Sequence, residues 1–371
     1  MHRAYRSVTE QSLHYFIRPH LGLPSAPIVS PAAWRGESLR GAGRESQWMA
    51  SLSAAQIDEL EAALQVARAT GKPLSALTAR DFPLPTLSAQ LRRWIDNVEH
   101  GLGVQVIRGL PVERWSLSDS ERVFFCLGLH LGIPGAQNRF EELLGHVRDE
   151  GLSYDDPTVR GYRTAAQLSY HCDAADVVGL LCLQPAQSGG RSRFVSSVTV
   201  WNELFAQRPD LAQRLFEPLL LDTRGDGGVN FFPIAPCRYA QGVLRTFYHA
   251  DYFRTAERHP DATPLGTLER ELLDQYDALA SRPDLYLEMD FAPGDIQLLS
   301  NHTLLHARGA YVDAQGGDRK RHLLRLWLSL PRRAAWECLP SLAVESLRLL
   351  GALLRGRVRD RRRRVPTTLG S

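Results

Sequence analysis

The sequence predicts a mainly β protein with flanking helices, folded as a sandwich or jelly roll. Three observations carry that expectation. From about residue 160, short β-prone stretches alternate with Gly/Pro turns. One of them, VVGLLCLQP (177–185), is apolar almost throughout and is followed by a QSGG turn. Helical periodicity interrupts the series only twice, at about 201–216 and 267–280.

Taken in order, residues 1–50 are rich in Arg, Gly, Pro and Ser and show no clear period. Ser53 followed by Gln56 is a capping-box pattern, and Ile57, Leu60, Leu64 and Ala67 then recur at helical spacing. Residues 86–100 predict a second helix with Leu87, Leu91, Trp94, Ile95 and Val98 on one face, ended by Gly101 and Gly103. Val104, Val106 and Ile107 predict a strand, and Ser118 with Glu121 a third helix start. Further strands are expected at 193–200, 243–248, 286–291, 296–300 and 322–330. NFFPIAPCRYAQG (230–242) reads as a lid or a packed hairpin. The division that follows is an N-terminal helical or irregular extension over 1–94, a β domain with helical inserts over 95–335, and an amphipathic helix with an Arg-rich tail over 336–371.

Composition narrows the function classes. A chain of 371 residues with 44% hydrophobic and 23% charged residues can bury a large core and is neither disordered, collagenous nor coiled coil. Forty-four basic against 41 acidic residues give a net charge of +3. The tail from Arg348 alone holds eight Arg and one Asp. That tail has no interleaved aromatic residues, so no specific nucleic-acid partner is expected. No run of 18 apolar residues predicts a transmembrane segment, and the first residues lack the apolar stretch of a secretory signal. Five scattered cysteines with no CxxC pair argue against a disulfide framework or a cysteine-zinc site. The expected setting is cytoplasmic.

The chemistry concentrates in His171-Cys172-Asp173. Residues i and i+2 of a strand point to one face, so an imidazole and a carboxylate converge while Cys172 faces the core. A second histidine would complete the 2-His-1-carboxylate triad that leaves open positions on Fe(II). His249-Ala250-Asp251 is a second match, but it has no core strand behind it, and His171 is preferred. For the distal ligand, PGDIQLLSNHTLLHARGAY (293–311) offers His302 and His306, and the apolar approach to His306 favours it. Arg321 and Arg325 then share one face of RHLLRLWLSL. They form either an exposed face of an edge strand or a fixed clamp for the far carboxylate of a dicarboxylic cosubstrate.

These three segments, with VIRGLPVERWSLSD and LHLGIPGAQNR before them, resemble the taurine dioxygenase-type (TauD/TfdA) Fe(II)- and 2-oxoglutarate-dependent oxygenases over roughly residues 95–332. The resemblance implies a double-stranded β-helix, a cupin-like jelly-roll core. It implies iron on His171, Asp173 and His306, and 2-oxoglutarate held by Ser192 and Arg321, with Arg325 facing cosubstrate or substrate. It also implies O2 as co-reactant, release of succinate and CO2, and oxidation of an unactivated C–H of a small molecule such as an amino-acid derivative or natural-product intermediate. Gln137, Asn138 and Asn301 are the candidate substrate contacts. The competing expectation is a non-catalytic metal-binding or interaction protein on the same barrel.

Overall fold

The computed structural model describes residues 5–41, 43–225, 229–314 and 320–331. Two sheets carry the site. The larger runs Met49–Ser51, Val104–Arg108, Ile296–Ser300, Val177–Gln184, His322–Ser329, Ile133–Gly135 in spatial order, with Leu144–Val147 also paired to His322–Ser329. The smaller runs Tyr286–Met289, Ser192–Ser196, Leu304–Arg308, Leu168–His171. Every pairing in them is antiparallel except Met49–Ser51 with Val104–Arg108.

Alternation along the strands sorts the core into layers. Leu324, Leu326 and Leu328 face outward into one apolar cluster with Phe124 of helix Leu117–Leu131, which packs on this strand, and with Leu60 and Leu91 of helices Ala54–Ala69 and Leu87–His100 beyond it. Trp327, from the opposite face of the same strand, meets Val178 and Leu299 of its own sheet and Phe194, Leu287 and Leu304 of the smaller one. The outer face of the smaller sheet, Leu305 and Ala307, packs on Trp201, Leu204, Leu272 and Tyr276 of helices Ser197–Gln207 and Thr267–Ala280. Two facing antiparallel sheets with helices on both outer faces are the jelly-roll core that the sequence predicts.

Local differences have local causes. The strand expected over 193–200 ends at Ser196, because the Ser196 hydroxyl accepts the Thr199 N–H and starts a helix there. The third helix is capped by Ser116 with Asp119 rather than Ser118 with Glu121. Strand Val243–Thr246 pairs only with Cys237–Ala240, outside both sheets. The N-terminal stretch that shows no period contains helix Val8–Phe16, opened by a Ser7–Glu10 capping box. Residues before 95 thus supply a strand of the larger sheet and, through this helix, a wall of the cavity described below. The helix expected over 342–354 and the Arg-rich tail lie outside the described residues.

Candidate active site

His171, Asp173 and His306 converge between the sheets. His171 ends its strand and lies opposite His306 in the register, so neighbouring strands present the two rings side by side with centroids 4.2 Å apart. Asp173 follows two residues after His171, and its Oδ2 lies 3.9 Å from His306 Nε2. One ligand atom from each residue falls within 4.8 Å of the others, the only such His/Cys/Asp/Glu group of three or more among the described residues. The His171 Nδ1–H donates to Ser169 O at 2.8 Å, which fixes the tautomer and leaves the Nε2 lone pair for a ligand role.

The electrostatics suit a cation. Burial lowers the His171 pKa and pushes His306 down to about 3, with the neighbouring His171 adding to the shift on His306, so both rings are neutral. Burial raises the Asp173 pKa, but the charge of Arg325 opposes it, and the net shift is downward, so the carboxylate stays ionised. Arg325 Nη1 reaches Asp173 Oδ1 at 3.3 Å. Asp173 Oδ2 is buried with no hydrogen-bond partner. An ionised oxygen left unpaired beside two neutral imidazoles fits a divalent metal, which would supply the missing positive charge.

A cavity of about 430 Å³ opens onto this group. Its inner end holds Ser192 and Arg325 on facing strands, with Arg321 just before the strand of Arg325. Arg321 is buried, its Nη1 without a partner. The strand it leads into lies inside the larger sheet, so the exposed edge-strand alternative is excluded. Gly190 makes room for it: φ is +71°, and a Cβ there would stand 3.3 Å from Arg321 Nε and 3.2 Å from Tyr311 Cβ. The Ser192 hydroxyl donates to Gln297 Oε1 at 2.9 Å, so it must turn to donate into the cavity. Arg325 is already engaged, by Gln137 Oε1 at 2.7 Å and by Asp173, with its guanidinium 4.6 Å from the Tyr162 ring centroid.

The other candidates sort by position. Gln137 lines the cavity, but its amide also donates to Leu143 O and Arg325 O. Asn138 stands on the cavity rim and donates to Glu142. Asn301 is a correction: it is wholly enclosed, does not line the cavity, and its Oδ1 accepts the Asp173 N–H at 3.0 Å. It therefore orients Asp173 instead of facing a substrate. His302 belongs to a separate cluster, where Asp176 accepts from His302 at 2.8 Å, from His14 at 2.7 Å and from Arg18. That cluster pins the N-terminal helix, whose Val8, Thr9, Ser12 and Phe16 line the cavity. Cys172 packs in the core beneath His171 and Asp173, as its place between them predicts.

Two cavity residues receive no site role from the sequence: His249, weighed there as a ligand and set aside, and Arg308. His249 pairs with His171 in an isolated bridge, its ring centroid 4.9 Å from that of His171, and stacks on Tyr252 at 3.5 Å. The second His-x-Asp thus lies beside the first without joining the three-residue group. Arg308 lines the inner end on the same strand face as His306. Its i+2 spacing from His306 was the available signal.

The family described as taurine catabolism dioxygenase TauD, TfdA family matches residues 70–327. An FR-33289 synthase from Streptomyces rubellomurinus is 30% identical over 310 residues, covering 82% of this chain and 91% of the relative. A taurine hydroxylase-like protein from Stachybotrys chartarum is 30% identical over 322 residues, covering 84% of this chain and 82% of the relative. Among solved structures, asparagine oxygenase in complex with Fe(II), 3-hydroxyasparagine and succinate superposes with a TM-score of 0.61 at 16% identity, over 76% of this chain and 93% of that one. The non-heme iron oxygenase OrfP with Fe and alpha-ketoglutaric acid superposes with a TM-score of 0.56 at 18% identity, over 78% and 96%. At such identities the structural likeness is one of fold.

Proposed function

This chain belongs to the TauD/TfdA family of Fe(II)- and 2-oxoglutarate-dependent dioxygenases, and from that premise we propose which of its side chains do the work. His171, Asp173 and His306 hold the iron, and Arg321 with Ser192 holds the far carboxylate of 2-oxoglutarate. The observation that carries this reading is the pair of buried, unpaired atoms, Asp173 Oδ2 and Arg321 Nη1, at two points of one cavity. Each lacks the opposite charge that the cofactor or cosubstrate brings.

When bound, the metal with O2 and 2-oxoglutarate supplies oxidation of an unactivated C–H bond with release of succinate and CO2. The chain positions and shields. The Ser169 carbonyl sets the His171 tautomer, Asn301 and Arg325 orient the Asp173 carboxylate, and Gln137 holds Arg325. The substrate is a small polar molecule, an amino-acid derivative or natural-product intermediate. It enters at the outer end, where Tyr154, Arg160, His249, Asp251 and Tyr252 join Phe16. That mixture of charged, hydrogen-bonding and aromatic groups supports the class, as do relatives and neighbours named for FR-33289, hydroxyasparagine and hydroxyarginine. Asn138 on the rim is the remaining sequence-predicted substrate contact. No helix among the described residues is long and apolar enough to cross a membrane. A cytoplasmic setting, where Cys126, Cys172, Cys182 and Cys237 stay reduced, completes the reading.

The test is anaerobic addition of Fe(II) and 2-oxoglutarate. A weak visible charge-transfer band is expected. Arg321→Ala should raise the 2-oxoglutarate concentration needed for it at least tenfold, because a charge-assisted hydrogen bond contributes about 1.5–3 kcal/mol. A wild-type protein that binds Fe(II) but gives no band would return the non-catalytic alternative.

A further inference from the structure

The inner end of the cavity holds more positive charge than one clamp requires. Arg308 projects from Leu304–Arg308, opposite Ser192 in the register and on the face that carries His306. It is buried, and only its Nη2 is satisfied, by Thr164 O at 2.7 Å and by Ala166 O. Its Nε and Nη1 have no partner. The guanidinium lies 4.9 Å from the Tyr311 ring centroid, and that of Arg321 lies 5.0 Å from the same ring. The Tyr311 hydroxyl is also buried without a partner. Neither guanidinium forms an ion pair with any described carboxylate, although Asp149 and Asp313 lie near enough to act at longer range. Arg321 takes Asp313 only through its backbone N–H.

Two enclosed guanidiniums that line the cavity, both set over the Tyr311 ring and with donors unspent, make an anion subsite. A backbone tie alone would account for Nη2 of Arg308 but not for the buried, unpaired Nε and Nη1 of a residue that lines the cavity. Tyr311 keeps the two cations apart while its ring face offers each a cation–π contact. We propose that Arg308 is a second guanidinium for the far carboxylate of 2-oxoglutarate, acting with Arg321 and Tyr311 to select a diacid over a 2-oxo monoacid. The proposal rests on the cosubstrate reading given above.

Anaerobic Fe(II)-protein is titrated with 2-oxoglutarate and, separately, with 2-oxopentanoate, which lacks the far carboxylate, and the charge-transfer band gives each Kd. Arg308→Met should weaken 2-oxoglutarate at least tenfold, leave 2-oxopentanoate within about twofold and keep the iron stoichiometry. Arg308→Lys, which keeps the charge, should recover part of the loss. It also serves as the test if the Met variant does not fold, since a preference for the diacid equal to wild type in Arg308→Lys together with Arg308→Gln would overturn the proposal. So would an Arg308→Met protein with a lowered Tm and unchanged 2-oxoglutarate affinity, which would make the residue a tie to Thr164 and Ala166. Failure of the underlying reading looks different: wild type gives no band, or Arg321→Ala binds 2-oxoglutarate as wild type does.

Discussion

The two ends of the cavity are built from different materials. At the inner end Ser192, His306, Arg308 and Arg325 stand on strands of two facing sheets, and Arg321 immediately precedes its strand. At the outer end Tyr154 and Arg160 come from loops, while His249, Asp251 and Tyr252 come from the start of a six-residue helix, Ala250–Thr255. Ladder hydrogen bonds hold the inner groups in register. The outer groups rest on local turns and on one another, with the Tyr154 hydroxyl donating to Asp251 at 3.1 Å and Arg160 over the Tyr252 ring. A rigid inner end suits chemistry shared across a family, and a loop-built outer end suits a substrate that varies between members.

The largest test of this contrast sets one histidine from each end against the other. His306→Ala should remove iron from the desalted protein and lower succinate release by at least about a thousandfold, an order that loss of a metal ligand supports. His249→Ala should keep stoichiometric iron despite the 4.9 Å between its ring and that of His171. Iron lost from the His249 variant and kept in the His306 variant would break the assignment of the ends.

A smaller effect should appear in the iron-free protein as a function of pH. His306 has its pKa pushed down to about 3 by burial, against an ordinary value of 6.5. The unfolded chain therefore binds a proton that the folded chain refuses between those values. Stability is full above pH 6.5 and falls as pH drops toward 3, by at most about 1.4 kcal/mol per pH unit for this residue. Urea unfolding of metal-free protein at pH 7.5 and 5.5 should show the decline, and His306→Asn should make it shallower. An equal slope in both proteins would mean that the inner end does not hold His306 neutral.

The smallest concerns the fit of the clamp. Gly190→Ala must place a Cβ at φ +71° against Arg321 and Tyr311. We expect the 2-oxoglutarate Kd to rise roughly three- to tenfold, about 0.7–1.4 kcal/mol, with iron binding unchanged. Unchanged affinity would show that Arg321 has slack, and that the inner end is less rigid than its strands imply.

The contrast also explains what could be read in advance. His171 with Asp173, and Arg321 with Arg325, are legible because side chains two or four apart on a strand share a face whatever surrounds them. Arg308 was equally legible from His306 by the same rule. Helix Val8–Phe16 was not, because its buried Gln11 and Tyr15 are too few to mark a period, although Ser7 and Glu10 do spell its capping box. The cap of Leu117–Leu131 was misplaced by two residues because Ser116–Asp119 and Ser118–Glu121 carry the same signature, and only the packing of Asp119 with Arg68 distinguishes them.

By itself the sequence determined the β class, the strand faces and the types of group that line the inner end, since these follow from short-range periodicity and from the chemistry of side chains a few residues apart. The apolar approach in the sequence already favours His306 over His302, but the tertiary structure alone decided that Arg325 spends its charge on Asp173, 152 positions away, and that Asn301 serves Asp173 from behind. It also decided that the N-terminal helix walls the cavity and that His249 lies against His171. Each of those facts is a distance between segments remote in the chain. Sheet register and packing set such distances, and no local pattern of residues encodes them.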